Sequence, residues 1–591
     1  MAKERHPRGL TVLFMTEMWE RFSFYLMVGI LPQFLRDTEK GGMGWSDADQ
    51  AALVGTYMAL VYFTPFIGGL LADRLLGFRN TILIGGTLMM IGHIVLALPG
   101  EMALYAGLGF LILGNGAFKP NISTLLGNLY PPGSSLKDAG YNIFYLGINV
   151  GAFACNFVAA FVRNYFNSNP ELGVNGWHAA FATAGVGMFI GLVIFGLNYG
   201  RFAAADIHGR QDTGPRASLT PLWIQCLLPA AIMGGLCGYA AYVFKLPLKP
   251  VNAGFIGACI PVVLFYYNVW RKVDNVQERG SVAALLTIFG VVVVFWMTFG
   301  LNTNALNVWA QHNTDRQPGR FIQLLTEQFD VFAEDADPSY FKNAGPDVPR
   351  PHPSNFEVVS KDRYKELAEA HKLQSRDGRT IVTQEQLDAI FNKRRMTDTT
   401  PILEPGESLK LANVELFSSI NAGFVILFTP LLVGVWHWLR QRGKEPSTPG
   451  KIGLGLLITA GSPLVMLLAT VYSNDGEYKV SAWWLFGTYA VVTVGELCLS
   501  PMGLALVNKM APLKIQAFMM GGWFLSTSFG QKLAGLFGEA YAEWDHYVFW
   551  TVLIVCDLVF AGAIFMLLPW LKRQMGVEEA IHEVEEHATD V

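Results

Sequence analysis

Three ionisable residues, Glu17, Glu20 and Arg21, stand inside an apolar run that extends from Leu10 to Leu35. A run of that length can cross a bilayer as a helix, and a charge at mid-bilayer costs at least ~2.5–3.5 kcal/mol on insertion scales. On a helix the three positions fall at i, i+3 and i+4 and share one face. That face must look into protein or water, not lipid. Desolvation favours the neutral carboxylic acid, whereas an adjacent guanidinium favours the carboxylate. A carboxyl held between those pulls can load a proton and release it when its neighbours move. The plainer alternative is a static ion pair. Two more ionisable residues stand deep in apolar runs: Lys119 in "GNGAFKPN" and Glu496 in "VGELCLSP". An isolated intramembrane glutamate calls for a charged partner, and the ammonium of a ligand would serve.

The elements that must hold these groups follow from composition. The chain has 591 residues, of which 52% are hydrophobic and only 15% charged. A soluble domain carries nearer ~25% charged residues. Long apolar runs alternate with short charged hinges, which predicts an all-α polytopic membrane protein of about fourteen spanning helices. The first run is too long for a cleaved signal and reads as the first span. Lys and Arg concentrate in alternate loops that include the amino-terminal "MAKERHPR", so both termini are placed on the cytoplasmic side. The 6 cysteines all fall in apolar runs and predict neither disulfides nor a metal site. His93 reads as a satisfied core histidine, and Asp557 as a structural hydrogen-bonding group or an accessory proton site. No phosphate-cradling loop or nucleophile elbow is present, which argues against ATP-driven transport and against an enzyme.

The predicted organisation is an amino-terminal six-helix bundle (1–202), a linker with two extra spans (203–278) and a carboxy-terminal six-helix bundle (279–573). An acidic tail follows (574–591). Residues 311–411 break the pattern with charges of both signs and Pro-rich stretches. They predict a small, partly helical extracytoplasmic insertion, with helices at "NFEVVSKDRYKELAEAHKL" and "TQEQLDAIFNKRR". Between spans two and three, "GGLLADRLLGFR" supplies Gly69, Asp73, Arg74 and Arg79. It resembles the loop signature of the major facilitator superfamily, where such charges pair helices at the inner face.

Four stretches together resemble the proton-dependent oligopeptide transporter (POT) family, bacterial type. They are "EMWERFSFY", "FKPNISTLLGNLY", "YNIFYLGINVGAF" and "GELCLSPMGLALVNKMAP". The resemblance implies the major facilitator fold and alternating access. It implies proton coupling through Glu17, Glu20, Arg21 and Lys119. It places Arg21, Tyr25, Tyr62, Lys119 and Asn149 on the amino-domain side of the substrate site, with Trp296, Asn421, Glu496 and Trp523 opposite. The implied activity is proton-coupled import of di- and tripeptides. The proton is the coupling ion, with no other cofactor and no nucleic acid. The expected form is a monomer in the lipid of a bacterial cytoplasmic (inner) membrane. Two alternatives stand beside it: another cargo (a modified peptide, amino acid or organic anion), or a transport-like sensor using 311–411.

The pattern also departs from the family. Val28 stands where an Arg is usual, and Gly300 where a Glu is usual; in the family these two can pair across the outer mouth. Losing both strands neither charge, and Asn302 or Asn304 is the expected polar substitute. Ala422 replaces a usual Pro, and Gly55 falls where animal members carry a histidine.

Overall fold

The computed structural model describes residues 6–37, 40–72, 76–131, 136–206, 220, 223–316, 332–334, 350–351, 374–376, 379–381, 402–403, 410–473, 475, 480–512 and 515–589. The amino-terminal bundle is α1 (Gly9–Arg36), α2 (Asp47–Leu71), α3 (Phe78–Leu96), α4 (Glu101–Asn128), α5 (Lys137–Ser168) and α6 (Gly176–Leu197). The extra pair is α7 (Leu228–Val243) and α8 (Pro250–Arg271). The carboxy-terminal bundle begins with α9 (Val276–Gly300), which a 3-10 turn at Leu301–Thr303 joins to the short α10 (Ala305–His312). It continues through α11 (Glu415–Gln441), α12 (Thr448–Thr459), α13 (Gly461–Ser473), α14 (Trp483–Met510), α15 (Gln516–Tyr541) and α16 (His546–Thr589).

Local chemistry sets the helix starts. Ser46 caps α2 by accepting from the Asp49 N–H at 3.1 Å, with Asp47 and Asp49 in the first turn where they complement the helix dipole. The Asn175 side chain caps α6 by accepting from the Trp177 N–H at 2.8 Å. Gly77 enters α3 at φ 75°, a left-handed conformation that glycine adopts without a Cβ penalty.

Among the described residues, 11 helical segments are long and apolar enough to cross a membrane. Three more helices of spanning length, α1, α14 and α15, carry ionisable groups at mid-length. Together they make the 14 helices that the sequence predicts. The bundles have separate cores. One joins Leu13, Phe24, Leu31, Met89, Phe118 and Phe181. The other bundle packs Leu285, Phe295, Leu499, Leu506 and Trp523 at one level, and Trp309, Met466, Tyr489 and Trp550 at another. The α7–α8 pair packs through Cys226, Val262, Phe265 and Tyr266 against Leu525 of α15, with Phe63 and Ile67 of α2 alongside.

The described parts of the insertion are short strands, which the sequence did not signal. Phe332–Glu334 pairs antiparallel with Lys410–Ala412, and Thr314–Asp315 runs parallel to Val480–Ser481. The two helices expected inside 311–411 lie outside the described residues. The acidic tail continues α16 as one helix to Thr589.

The bundles are joined at the face opposite the amino terminus. There Arg163 of α5 pairs with Glu415 of α11 at 3.1 Å. Asn413 donates to Asn164 Oδ1 at 3.1 Å, Asn156 to Ser419 Oγ at 3.0 Å, and Ser528 to the Ala59 carbonyl at 2.7 Å. At the same face Gly55 of α2 crosses Gly535 of α15, where a Cβ on Gly535 would stand 2.8 Å from the Gly55 Cα. Any side chain at either position would hold these helices apart.

Candidate proton-coupling and substrate site

The face shared by Glu17, Glu20 and Arg21 turns into the amino-terminal bundle. All three side chains are at most 2% exposed. The Arg21 guanidinium makes a two-point ion pair with Glu20. Its Nε stands 3.4 Å from Glu17 Oε1, and its Nη2 donates to Asn115 Oδ1 of α4 at 3.2 Å. Asn115 in turn donates to the Val61 carbonyl of α2 at 3.0 Å, so Arg21 is fixed from three helices. Among the described residues the second oxygen of Glu17 has no hydrogen-bond partner. Lys119 lies within electrostatic reach of Arg21, Glu20 and Glu17, with its ammonium 4.4 Å from the centre of the Tyr62 ring. Two acids and two bases are balanced when all are ionised. A proton on either acid leaves one base uncompensated, and that base can take a carboxylate from elsewhere.

Glu496 faces this cluster from the other bundle. It shares an electrostatic neighbourhood with Tyr25 of α1, Tyr62 of α2 and Tyr145 of α5. Its Oε2 accepts from Asn421 of α11 at 3.0 Å, and Asn421 also donates to Thr493 at 2.8 Å. Among the described residues no basic side chain is an electrostatic partner of Glu496. Asn149 is buried and donates to the Tyr145 carbonyl at 2.9 Å. The two tryptophans differ in setting from these polar groups. Trp523 packs edge-on to Phe289 at 6.2 Å, and Trp296 lies against Phe295 and Phe299 with its indole nitrogen unpartnered among the described residues. Both indoles belong to the carboxy-bundle core.

Of the loop motif, Asp73 and Arg74 lie outside the described residues. A Cβ on Gly69 would meet Pro120 of α4 at 3.8 Å, an ordinary contact. Arg79 pairs with Asp206 at 2.7 Å and lies over the Tyr199 ring, while Asp206 also accepts from the Phe78 N–H at 2.7 Å. Arg79 therefore ties the start of α3 to the segment after α6.

The substituted positions are filled by packing. Val28 is buried in the amino-bundle core, and a Cβ on Gly300 would meet Ala534 at 2.6 Å and Gln531 at 2.7 Å. Asn302 and Asn304 do not take over the lost charge pair: among the described residues the side-chain oxygen of each is unpartnered. Among the described residues, Arg163–Glu415 is an ion pair that does join the bundles. Asp557 accepts from the Thr298 hydroxyl, 3.0 and 3.1 Å from its two oxygens. His93 is fully buried, but neither ring nitrogen has a partner among the described residues, so it is a core histidine that is not hydrogen-bonded. Sequence reasoning missed Asn115, Tyr145, Arg163, Glu415 and Lys532. Asn115 was signalled by its i, i+4 spacing to Lys119, and Lys532 by its place inside an apolar run.

The model of PTR2, the POT family, matches residues 79–334 and 410–548. The chain belongs to the POT family. It is 30% identical over 536 residues to the di-/tripeptide transporter of Lactococcus lactis subsp. cremoris, covering 89% of this chain and 88% of that one. It is 27% identical to the peptide transporter YePEPT of Yersinia enterocolitica, covering 97% and 96%. It is 28% identical to the uncharacterized transporter YclF of Bacillus subtilis, covering 96% and 95%. A crystal structure of peptide transporter POT in complex with sulfate superposes with a TM-score of 0.67 at 27% identity, covering 96% of each chain. This POT protein therefore has the major facilitator-type fold of its structural neighbours.

Proposed function

We propose that this POT protein is a proton-coupled symporter that imports di- and tripeptides by alternating access. The observation that carries the reading is the division of charge between the bundles. Arg21 and Lys119 stand in one, and Glu496, with no basic partner among the described residues, faces them from the other. A peptide zwitterion matches that division: Glu496 takes the ammonium, and a base of the amino bundle takes the carboxylate. Tyr25, Tyr62, Asn149 and Asn421 frame the peptide, while Trp296 and Trp523 back that frame from the carboxy-bundle core. Protonating Glu17 or Glu20 frees Arg21 or Lys119 for the substrate, so proton and peptide binding reinforce one another by linkage. The names of the Lactococcus and Yersinia relatives support the same cargo.

Moving one proton inward down ~100 mV releases ~2.3 kcal/mol, enough for roughly fifty-fold accumulation. With both termini on the cytoplasmic side of a bacterial inner membrane, as the loop charges indicate, the joined face is the outer one. The described conformation is then closed outside, ready to exchange with the cytoplasm. One chain holds both halves of the site, so the monomer suffices.

Proteoliposomes of the purified protein under an imposed potential test the reading through internal pH. Acidification with di-alanine and tri-alanine, but not with free alanine or a nonpeptide organic acid, is the expected result. Acidification with the organic acid alone would replace peptide by another cargo, and no proton movement with any of them would remove the symport reading.

A further inference from the structure

Lys532 of α15 is an ammonium in the contact between the bundles and is only 2% exposed. A buried charge needs close polar partners. Two are provided from different bodies. The Lys532 ammonium donates to the Thr56 hydroxyl of α2 at 2.6 Å, and to Asn252 Oδ1 of α8 at 2.6 Å. The chain of contacts continues outward. Asn252 donates to Glu539 of α15 at 2.8 Å, Glu539 lies 3.4 Å from the Lys249 ammonium of α8, and Lys249 reaches Asp49 of α2 at 2.8 Å. Three helices from three parts of the chain thus share one polar network beside the Gly55–Gly535 crossing.

The network is asymmetric. The α7–α8 pair holds α15 by three polar contacts, two of them through the buried Asn252. It holds α2 by Lys249–Asp49, whose side chains are 34% and 58% exposed. Apolar packing is shared, with Leu525 and Phe529 of α15 and with Phe63 and Ile67 of α2, so the asymmetry is one of polar contacts. Alternating access, on which this inference rests, requires α2 and α15 to part at this face. Among the described contacts, Lys532–Thr56, Lys249–Asp49 and the Ser528–Ala59 hydrogen bond must then break, while the pair stays with the carboxy bundle.

We propose that Lys532 and the α7–α8 pair form the outer latch of the transport cycle, with Thr56 and Asp49 as its strike on the amino bundle. The extra helices are then a working jaw of the gate, and Lys532 is a positioning residue that never touches the substrate. The latch supplies part of the closing force that the Val28 and Gly300 positions, both packed without charge, do not.

Distances between spin labels at the exposed positions Leu172 and Glu543, measured by pulsed electron resonance in liposomes, report the outer mouth. Thr56→Val removes the hydroxyl at nearly constant shape, and Lys249→Ala removes the contact of the extra pair. Each is expected to raise the ratio of outer-open to outer-closed protein several-fold, and the double variant about tenfold or more, in keeping with the loss of one or two hydrogen bonds. Thr56→Ser should match the wild type. Unchanged populations in the double variant overturn the latch. A Thr56→Ser shift as large as that of Thr56→Val also overturns the part assigned to Lys532, because packing would then carry the effect. Proton–peptide symport is read separately, from internal pH in the wild-type protein, so failure of one reading is distinguishable from failure of the other.

Discussion

Arg21 holds Glu20 at two points, while Glu17 keeps one oxygen unpartnered among the described residues. The two acids are therefore not equivalent: protonating Glu20 releases more of the guanidinium than protonating Glu17 does. Glu20→Gln is expected to abolish pH-driven accumulation, lowering it by at least about tenfold, while counterflow exchange of labelled peptide persists. Full accumulation in that variant would return the role to Glu17. Glu496 has a separate task. Losing one charge-assisted hydrogen bond to an ammonium costs ~1.5–3 kcal/mol, so Glu496→Gln should raise the KM for di-alanine by about tenfold or more. A KM within twofold of the wild type would remove Glu496 from the ammonium site. These residues were legible in sequence because an ionisable group inside an apolar run is costly enough to need a reason. Tyr145 was not, and Asn115 only through its spacing to Lys119, since polar neutral residues in spans are common and only the folded bundle shows which of them meet Arg21 or Glu496. Trp296 and Trp523 were legible as aromatic positions, yet their packing within the carboxy core could not be read from type alone.

Helix ends and crossings carry the next layer of information. Apart from α16, which continues as a helix through the acidic tail, the apolar runs mark the helices to within a few residues, because bilayer thickness and backbone hydrogen bonding leave little freedom. They did not give the partners across bundles, which depend on which helix faces meet. Gly55 read as a missing histidine; in the structure it is half of a close crossing with Gly535. Loops between helices are a place where charge acts on stability without entering the transport path. Glu445, between α11 and α12, accepts from Arg440 at 2.6 and 3.0 Å and from Lys451 at 2.6 Å. Those hydrogen bonds hold its carboxyl down to about 2. A depressed carboxylate contributes its stabilisation fully above its ordinary value of 4.5 and loses it as pH falls toward 2. Glu445 accordingly stays ionised across the range in which a proton-coupled carrier works. The uptake–pH profile of Glu445→Gln should superimpose on that of the wild type between about pH 5 and 8. A shifted midpoint there would make Glu445 part of the coupling machinery.

The two-bundle architecture follows from the count of spans and the alternation of loop charge, both of which the chain states openly. The insertion does not follow from the same rules, because it lies outside the bilayer pattern that makes the rest readable. Its described neck nevertheless decides how it can be tested. Phe332–Glu334 and Lys410–Ala412 are paired antiparallel, with Glu334 opposite Lys410. Two antiparallel strands ending in such a pair can be closed by a two-residue turn, for which Asn-Gly is favoured. Replacing residues 335–409 with Asn-Gly therefore preserves the neck and removes the rest. The described contacts of the proton cluster, of Glu496, of the Arg163–Glu415 pair and of the Lys532 network all lie outside that stretch. If the bundles alone perform symport, the shortened protein should take up di-alanine within about twofold of the wild-type rate, since long surface loops can be altered at small cost in stability. If the protein instead senses a ligand through its insertion, the same variant should fold, keep its melting behaviour in detergent and lose its response. Retained proton-driven uptake would assign the function to the membrane core, and loss of uptake in a folded variant would transfer it to the insertion.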